Sequence, residues 1–180
     1  VQKSGYVSFV DGTKANQTPA GTFGATDKTY TITYEAVPAT AGEVANEPTV
    51  TAALAAVNAA TTETDYKAAL AAYNTAVSDA QTARDNAETA AKSVDSSGFS
   101  TVTAVSDAQT NLNNVLAQAA AGQATTQQVI DATTALQTAI SDAQAALDAA
   151  KAQAKTDIQA NIDDINTQIT QIQADIDAIQ

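Results

Sequence analysis

The chain has no cysteine, histidine, methionine or tryptophan. Without cysteine it has no disulfides, thiol nucleophiles or zinc–thiolate sites. Without histidine it lacks the side chain whose ordinary pKa lies nearest neutrality, and with it the commonest general acid–base catalyst. A cysteine-free chain is compatible with an extracellular setting without requiring one. Positive charge is also scarce: eight Lys and Arg stand against twenty Asp and Glu, for a net charge of −12. Eight scattered cations make no phosphate-binding face, so no nucleic-acid partner is expected, and anionic membrane surfaces are disfavoured. No apolar run reaches the roughly 18 residues of a membrane span, so no membrane insertion is expected. Aromatics are 4% of the chain and alanine supplies much of its 44% apolar content. Thin helix–helix seams suit that supply better than a large close-packed core. The first residue is Val1, not methionine, and the pattern starts in its middle, so the chain is read as a piece of a longer one.

The most regular feature is at the C-terminal end. Ile158, Ile162, Ile165, Ile169, Ile172, Ile176 and Ile179 follow one another at intervals of 4, 3, 4, 3, 4 and 3. A mean repeat of 3.5 residues puts all seven on one narrow helical stripe, a partner-helix seam. With Ile162 as heptad position a, the flanking e and g positions are Gln159, Asn161, Asn166, Gln168, Gln173, Asp175 and Gln180, nearly all uncharged. Isoleucine at both a and d shifts preference from two strands to three or more. Three destinations are open to this seam: other copies of the chain, a following repeat, or the chain's own helices through a fold-back at Lys155.

Residues 1–42 differ from the remainder. Five of the seven glycines lie here, and all three prolines fall at or before Pro48. Residues 5–10 (GYVSFV) and 28–37 (KTYTITYEAV) read as strands, and Asp11-Gly12 as a turn. In the second strand Tyr30, Ile32 and Tyr34 alternate with threonines, so theirs is the face expected to be buried. Two or three strands alone are marginal and need helices or another sheet to cover them. The segment GTFGATDKTYTITYEA resembles the closing strands of mucin-binding-type β repeats of Gram-positive surface adhesins. Pairing of Lys3, Lys14 or Lys28 with Asn16, Asp11 or Asp27 in an isopeptide bond, a linkage that this resemblance brings with it, is a remote alternative.

After Pro48 the pattern is helical, interrupted only by Gly98 and Gly122. A short helix is expected from Pro48 to about Ala60, with Val50, Leu54 and Val57 inward. A second is expected over 63–94, capped by Thr62, with a seam of Tyr66, Leu70, Tyr73, Val77, Ala80, Arg84, Ala87, Ala91 and Val94. A third is expected to start at Ser100, with Phe99 as a hydrophobic staple, and to run to about Ala121. Val102, Val105, Leu112, Val115, Leu116 and Ala119 form its inner face. The spacing of Thr125 and Gln128 fits a capping box opening a fourth helix, in which Val129, Leu136, Ile140, Ala143 and Leu147 face inward. No glycine or proline interrupts this helix before residue 180. The eleven-residue step from Leu147 to Ile158 is a stutter, and continuity is preferred to a break near Lys155.

Residues 105–144 (VSDAQTNLNNVLAQAAAGQATTQQVIDATTALQTAISDAQ) resemble the FIVAR-type three-helix modules of Gram-positive cell-wall proteins. The resemblance implies an extracellular, wall-attached protein whose modules stand between binding domains or contact sugars.

The expected fold is mainly α: an antiparallel three-helix bundle or coiled coil with a long protruding C-terminal helix and a small N-terminal β segment. The expected divisions are a β-rich segment at 1–42, a linker and short helix at 43–61, the bundle at 62–155 and a coiled-coil extension at 156–180. No catalytic residue, metal site or cofactor is expected. Asp163-Asp164, Asp175 and Asp177 lack a calcium-loop pattern and read as a solvated face. Tyr66 and Tyr73, seven residues apart, are candidates for stacking on a sugar, with core packing the competing reading. The expected function is that of a non-catalytic spacer or stalk of a secreted or cell-wall-anchored bacterial surface adhesin. The alternatives are a carbohydrate- or host-glycoprotein-binding module and a trimerising fibre segment. The expected partners are neighbouring modules of the same chain, further copies through the C-terminal helix, and a host glycan or glycoprotein.

Overall fold

The Asp11-Gly12 pair builds the first tertiary feature. Both residues have positive φ, 48° and 77°, the geometry that lets a two-residue turn join twisted antiparallel strands. The turn connects strand β1 (Tyr6–Val10) to β2 (Thr13–Ala15), and β3 (Ile32–Ala36) pairs with the other edge of β1. The sheet order is β2-β1-β3, antiparallel throughout. The Asp11 carboxylate also accepts the Thr31 amide at 2.9 Å, fixing the entry to β3. The computed structural model describes residues 3–15 and 29–179.

Four helices follow: α1 (Pro48–Ala59), α2 (Glu63–Lys92), α3 (Thr103–Ala120) and α4 (Thr126–Ile179). The fold is mainly α, with a small N-terminal sheet and a long C-terminal helix. Pro48 starts α1, where a missing amide hydrogen costs nothing. Thr62 caps α2 by accepting the Asp65 amide, with Glu63 and Asp65 in the first turn. The extended linker between α1 and α2 continues the sheet edge. Lys14 donates its amide to Thr61, and Glu63 donates its amide to Gly12. Gly122, at φ 68°, ends α3 in a Schellman arrangement: Gln123 N–H reaches Gln118 C=O, and Gly122 N–H reaches Ala119 C=O. Thr125 and Gln128 form the reciprocal capping box that opens α4. The helix then runs 54 residues without a break, about 81 Å of rise.

Four expectations are corrected. Helix α3 begins at Thr103, not next to Ser100. Asp95 accepts the Ser97 amide and starts a 3-10 turn over Ser97–Phe99, and Val102 then donates its amide to Phe99, so those residues are used in turns. That hydrogen bond from Ser97 holds the Asp95 carboxyl below its ordinary range. Val102, lying before the helix, is exposed. Leu147 is exposed as well, since burial along α4 ends at Ala143. In the sheet, the inward face is the opposite of the one expected. Val7 and Phe9 point to the helices, and register places Glu35 opposite Val7 and Thr33 opposite Phe9 on that same face. Tyr30 and Ile32 are exposed.

The chain divides into two compact units. The first comprises Val1–Val94 and Thr110–Thr134, and the second Asp95–Gln109 and Ala135–Gln180. The core of the first unit joins Phe9, Val44, Val50, Val57, Tyr66, Tyr73 and Ala80, with Leu54, Leu70 and Val77 packed at its margin. Phe9 meets Tyr66 edge-on at 5.4 Å, a favourable aromatic geometry. Both tyrosine hydroxyls are satisfied: Tyr66 donates to Ala36 C=O at 2.9 Å and Tyr73 to Ala39 C=O at 2.7 Å. In the second unit Val105 and Leu136 are buried, and Ser96 donates to Gln109 at 2.9 Å.

Candidate interaction surface

The seven seam isoleucines occupy one stripe of α4 within the second unit. All are exposed, from 45% for Ile162 and Ile176 to 85% for Ile179. From Gln144 to the last described residue, every side chain on the helix is exposed. The helix does not turn at Lys155, so a fold-back there does not cover the seam. Four hydrogen bonds tie glutamines to outer or flanking aspartates one turn away: Gln159 to Asp163, Gln168 to Asp164, Gln171 to Asp175 and Gln173 to Asp177, at 2.7 to 3.0 Å. Such i,i+4 contacts, each with one member beside the isoleucine stripe, support an exposed helix.

The first unit carries a different arrangement, a buried charge cluster. Arg84 is 1% exposed. Its guanidinium donates to Glu47 at 2.9 Å, to Ala124 C=O at 2.6 Å and to Thr126 Oγ1 at 3.2 Å. The same Glu47 oxygen accepts the Thr126 amide and hydroxyl, each at 2.6 Å. The residue before α1, the middle of α2 and the first residue of α4 thus converge on one ion pair. Burial pushes the Glu47 carboxyl up, but the bonds from Thr126 and Arg84 outweigh it and hold the pKa below the ordinary carboxylate value. Arg84 Nη1 is buried with no hydrogen-bond partner. The seam reading placed Arg84 inward but supplied no counter-ion for it. The available signal was the seam itself: a lone cation on a stripe of tyrosine, valine and alanine requires a carboxylate from elsewhere in the chain.

A second polar contact joins sheet to helix. Thr33 donates to Glu63 at 2.7 Å, and Lys67 reaches Glu63 at 2.6 Å and Glu35 at 3.0 Å. Lys67, and then Thr33, lower the Glu63 pKa, and the two carboxylates raise that of Lys67.

Tyr66 and Tyr73 are 1% and 2% exposed, so their ring faces belong to the core. They form part of the floor of an open cavity of about 720 Å³, with Val37, Pro38, Val50, Leu54 and Lys14 on its walls. Lys14 Nζ donates to Asn58 C=O at 3.3 Å and lies 5.5 Å from the Tyr66 ring centroid. Of the possible isopeptide residues, Asn16, Asp27 and Lys28 lie outside the described residues. Lys3 sits over the Tyr6 ring at 4.1 Å. Among the described residues no group of three or more Asp or Glu side chains is placed to hold a metal, and no helix is long and apolar enough to cross a membrane.

Compared with known proteins, the chain matches no family model, no curated protein and no solved structure.

Proposed function

We propose that the chain is a non-catalytic spacer or stalk module of a secreted or cell-wall-anchored bacterial surface adhesin, holding adhesive domains away from the wall. The observation that carries this reading is α4, a single helix of 54 residues whose side chains are exposed from Gln144 onward. A helix of that length spans about 81 Å as one continuously hydrogen-bonded rod, and its Gln–Asp pairs support it where no tertiary contact does. The resemblances of residues 105–144 to FIVAR-type modules and of the N-terminal strands to mucin-binding-type repeats point to the same setting. The acidic composition is in keeping with partners other than nucleic acid. Neighbouring modules of the same chain are the principal partners in this reading.

The cavity over Tyr66 and Tyr73 favours a second reading, a module that binds a host glycan or glycoprotein. Surface plasmon resonance against immobilised mucin-type glycoproteins and wall polysaccharides separates the two. A spacer gives no saturable response. Saturable binding that a free glycan competes away overturns the spacer reading in favour of the second.

A further inference from the structure

We propose that the chain self-associates through residues 158–179 as a three-stranded coiled coil, each seam covered by the same seam of two other copies. The proposal concerns the seam alone and does not rest on the spacer reading.

Three observations support it. The first is area. Seven isoleucines, each about half exposed or more, present on the order of 100 Å² apiece and roughly 700 Å² together. That exceeds the patch of about 300–600 Å² that is the largest on a typical monomer, and approaches the roughly 800 Å² that each partner contributes to a standard interface. The stripe is continuous along one helix.

The second is charge. The chain carries −12, which makes a basic partner helix the principal rival. Such a partner needs acidic residues beside the seam, and the flanks are Gln159, Asn161, Asn166, Gln168 and Gln173, with Asp175 the one acid among the described flanking residues. Asp157, Asp163, Asp164 and Asp177 lie at outer positions, all four bonded to glutamines on their own helix. Amide flanks neither repel an identical copy nor attract an opposite charge.

The third is side-chain shape. Where this chain buries a long seam of its own, on α2, it mixes Tyr66, Tyr73 and Arg84 with Ala80, Ala87 and Ala91. The terminal seam is isoleucine at every a and d position from 158 to 179. Branching at Cβ in both core layers packs better in three strands than in two.

Sedimentation equilibrium on the intact 180-residue chain tests this over about a hundredfold range of concentration. The expected mass at the upper end is three times the 18.3 kDa of one chain, falling towards one on dilution. Added salt shifts the curve to tighter assembly, because like-charged copies are being brought together. Hydrogen exchange supplies a second readout: the amides of residues 158–179 are protected at high concentration and exchange freely on dilution. The paired variant Ile165→Asp with Ile172→Asp is expected to stay monomeric, with the near-ultraviolet signal of the buried tyrosines unchanged as evidence that the first unit is folded. A wild-type chain that stays monomeric throughout overturns the proposal and leaves the seam to a different partner. A dimer or tetramer overturns the three-stranded assignment. Trimers that persist undiminished in the paired variant place the interface elsewhere and overturn it too.

Discussion

Replacing Arg84 with methionine keeps most of the side-chain volume and removes the charge. The structure sets the cost. Glu47 is left in a site where its side chain is only 10% exposed, without its 2.9 Å partner. Ala124 C=O loses a donor at 2.6 Å and Thr126 Oγ1 one at 3.2 Å. Breaking a buried ion pair from one side costs about 3–5 kcal/mol, because the remaining charge stays desolvated. Here Glu47 keeps two bonds from Thr126, so the lower end applies, about 3 kcal/mol. For a chain of this size that lowers the melting temperature by about 6–12 °C. Urea unfolding followed by the near-ultraviolet signal of Tyr66 and Tyr73 reads this in the unit that contains the cluster. Arg84→Met combined with Glu47→Gln removes both charges and keeps an oxygen acceptor for Thr126, so the double variant is expected to be more stable than the single one. The pH dependence has a fixed sign. Glu47 titrates lower folded than unfolded. Its stabilising contribution is therefore complete above the unfolded carboxyl value near 4.5 and is lost as pH falls through the lower folded value. In Arg84→Met the depression is smaller, and stability falls away at higher pH than in the wild type. A cost below about 1 kcal/mol, or a double variant no better than the single, refutes the account of a desolvated pair.

Three further outcomes follow from particular contacts. Gly122→Ala forces a side chain into positive φ and puts a Cβ 3.3 Å from Gly42 C=O; a loss of about 1–3 kcal/mol in urea unfolding is expected. Thr62→Ala removes the acceptor for the Asp65 amide and is expected to cost about 1 kcal/mol, read the same way. The inward sheet face is tested by a pair: Phe9→Ala is expected to cost about 3–5 kcal/mol and Ile32→Thr less than about 0.5 kcal/mol, and the reverse ranking would mean that the sheet faces the other way.

Helix ends were the most legible part of the sequence, because their signals act within a few residues. Pro48, Thr62, Thr125 with Gln128, and Gly122 each mark an end that the structure keeps. Ser100 misled because Asp95 starts a competing turn upstream, and a side chain able to cap does so only if the chain arrives with the right backbone. In the sheet, Tyr30, Ile32 and Tyr34 carry the larger apolar groups, yet Tyr30, before β3, is exposed, and Ile32 and Tyr34 lie on the face of β3 opposite Thr33 and Glu35. Strand alternation says that two faces differ, not which of them meets a helix, and pairing with Val7 and Phe9 settled the matter. The isoleucine stripe of α4 was legible in full, since seven isoleucines at 3.5-residue spacing are a local fact. The buried cluster was legible only by half.

By itself, the sequence determined the local features: the helix ends marked by Pro48, Thr62, Gly122 and Thr125, and a stripe of seven isoleucines at 3.5-residue spacing. Those properties depend on φ/ψ preference, capping and spacing along a few consecutive turns. Only the tertiary structure decided that Glu47 neutralises Arg84 across 37 residues, that Thr33 and Glu35 lie on the inward sheet face, and that no described part of the chain covers the seam. Each of those depends on which distant segment arrives to exclude water, and burial of that kind leaves no local mark on the residues it joins.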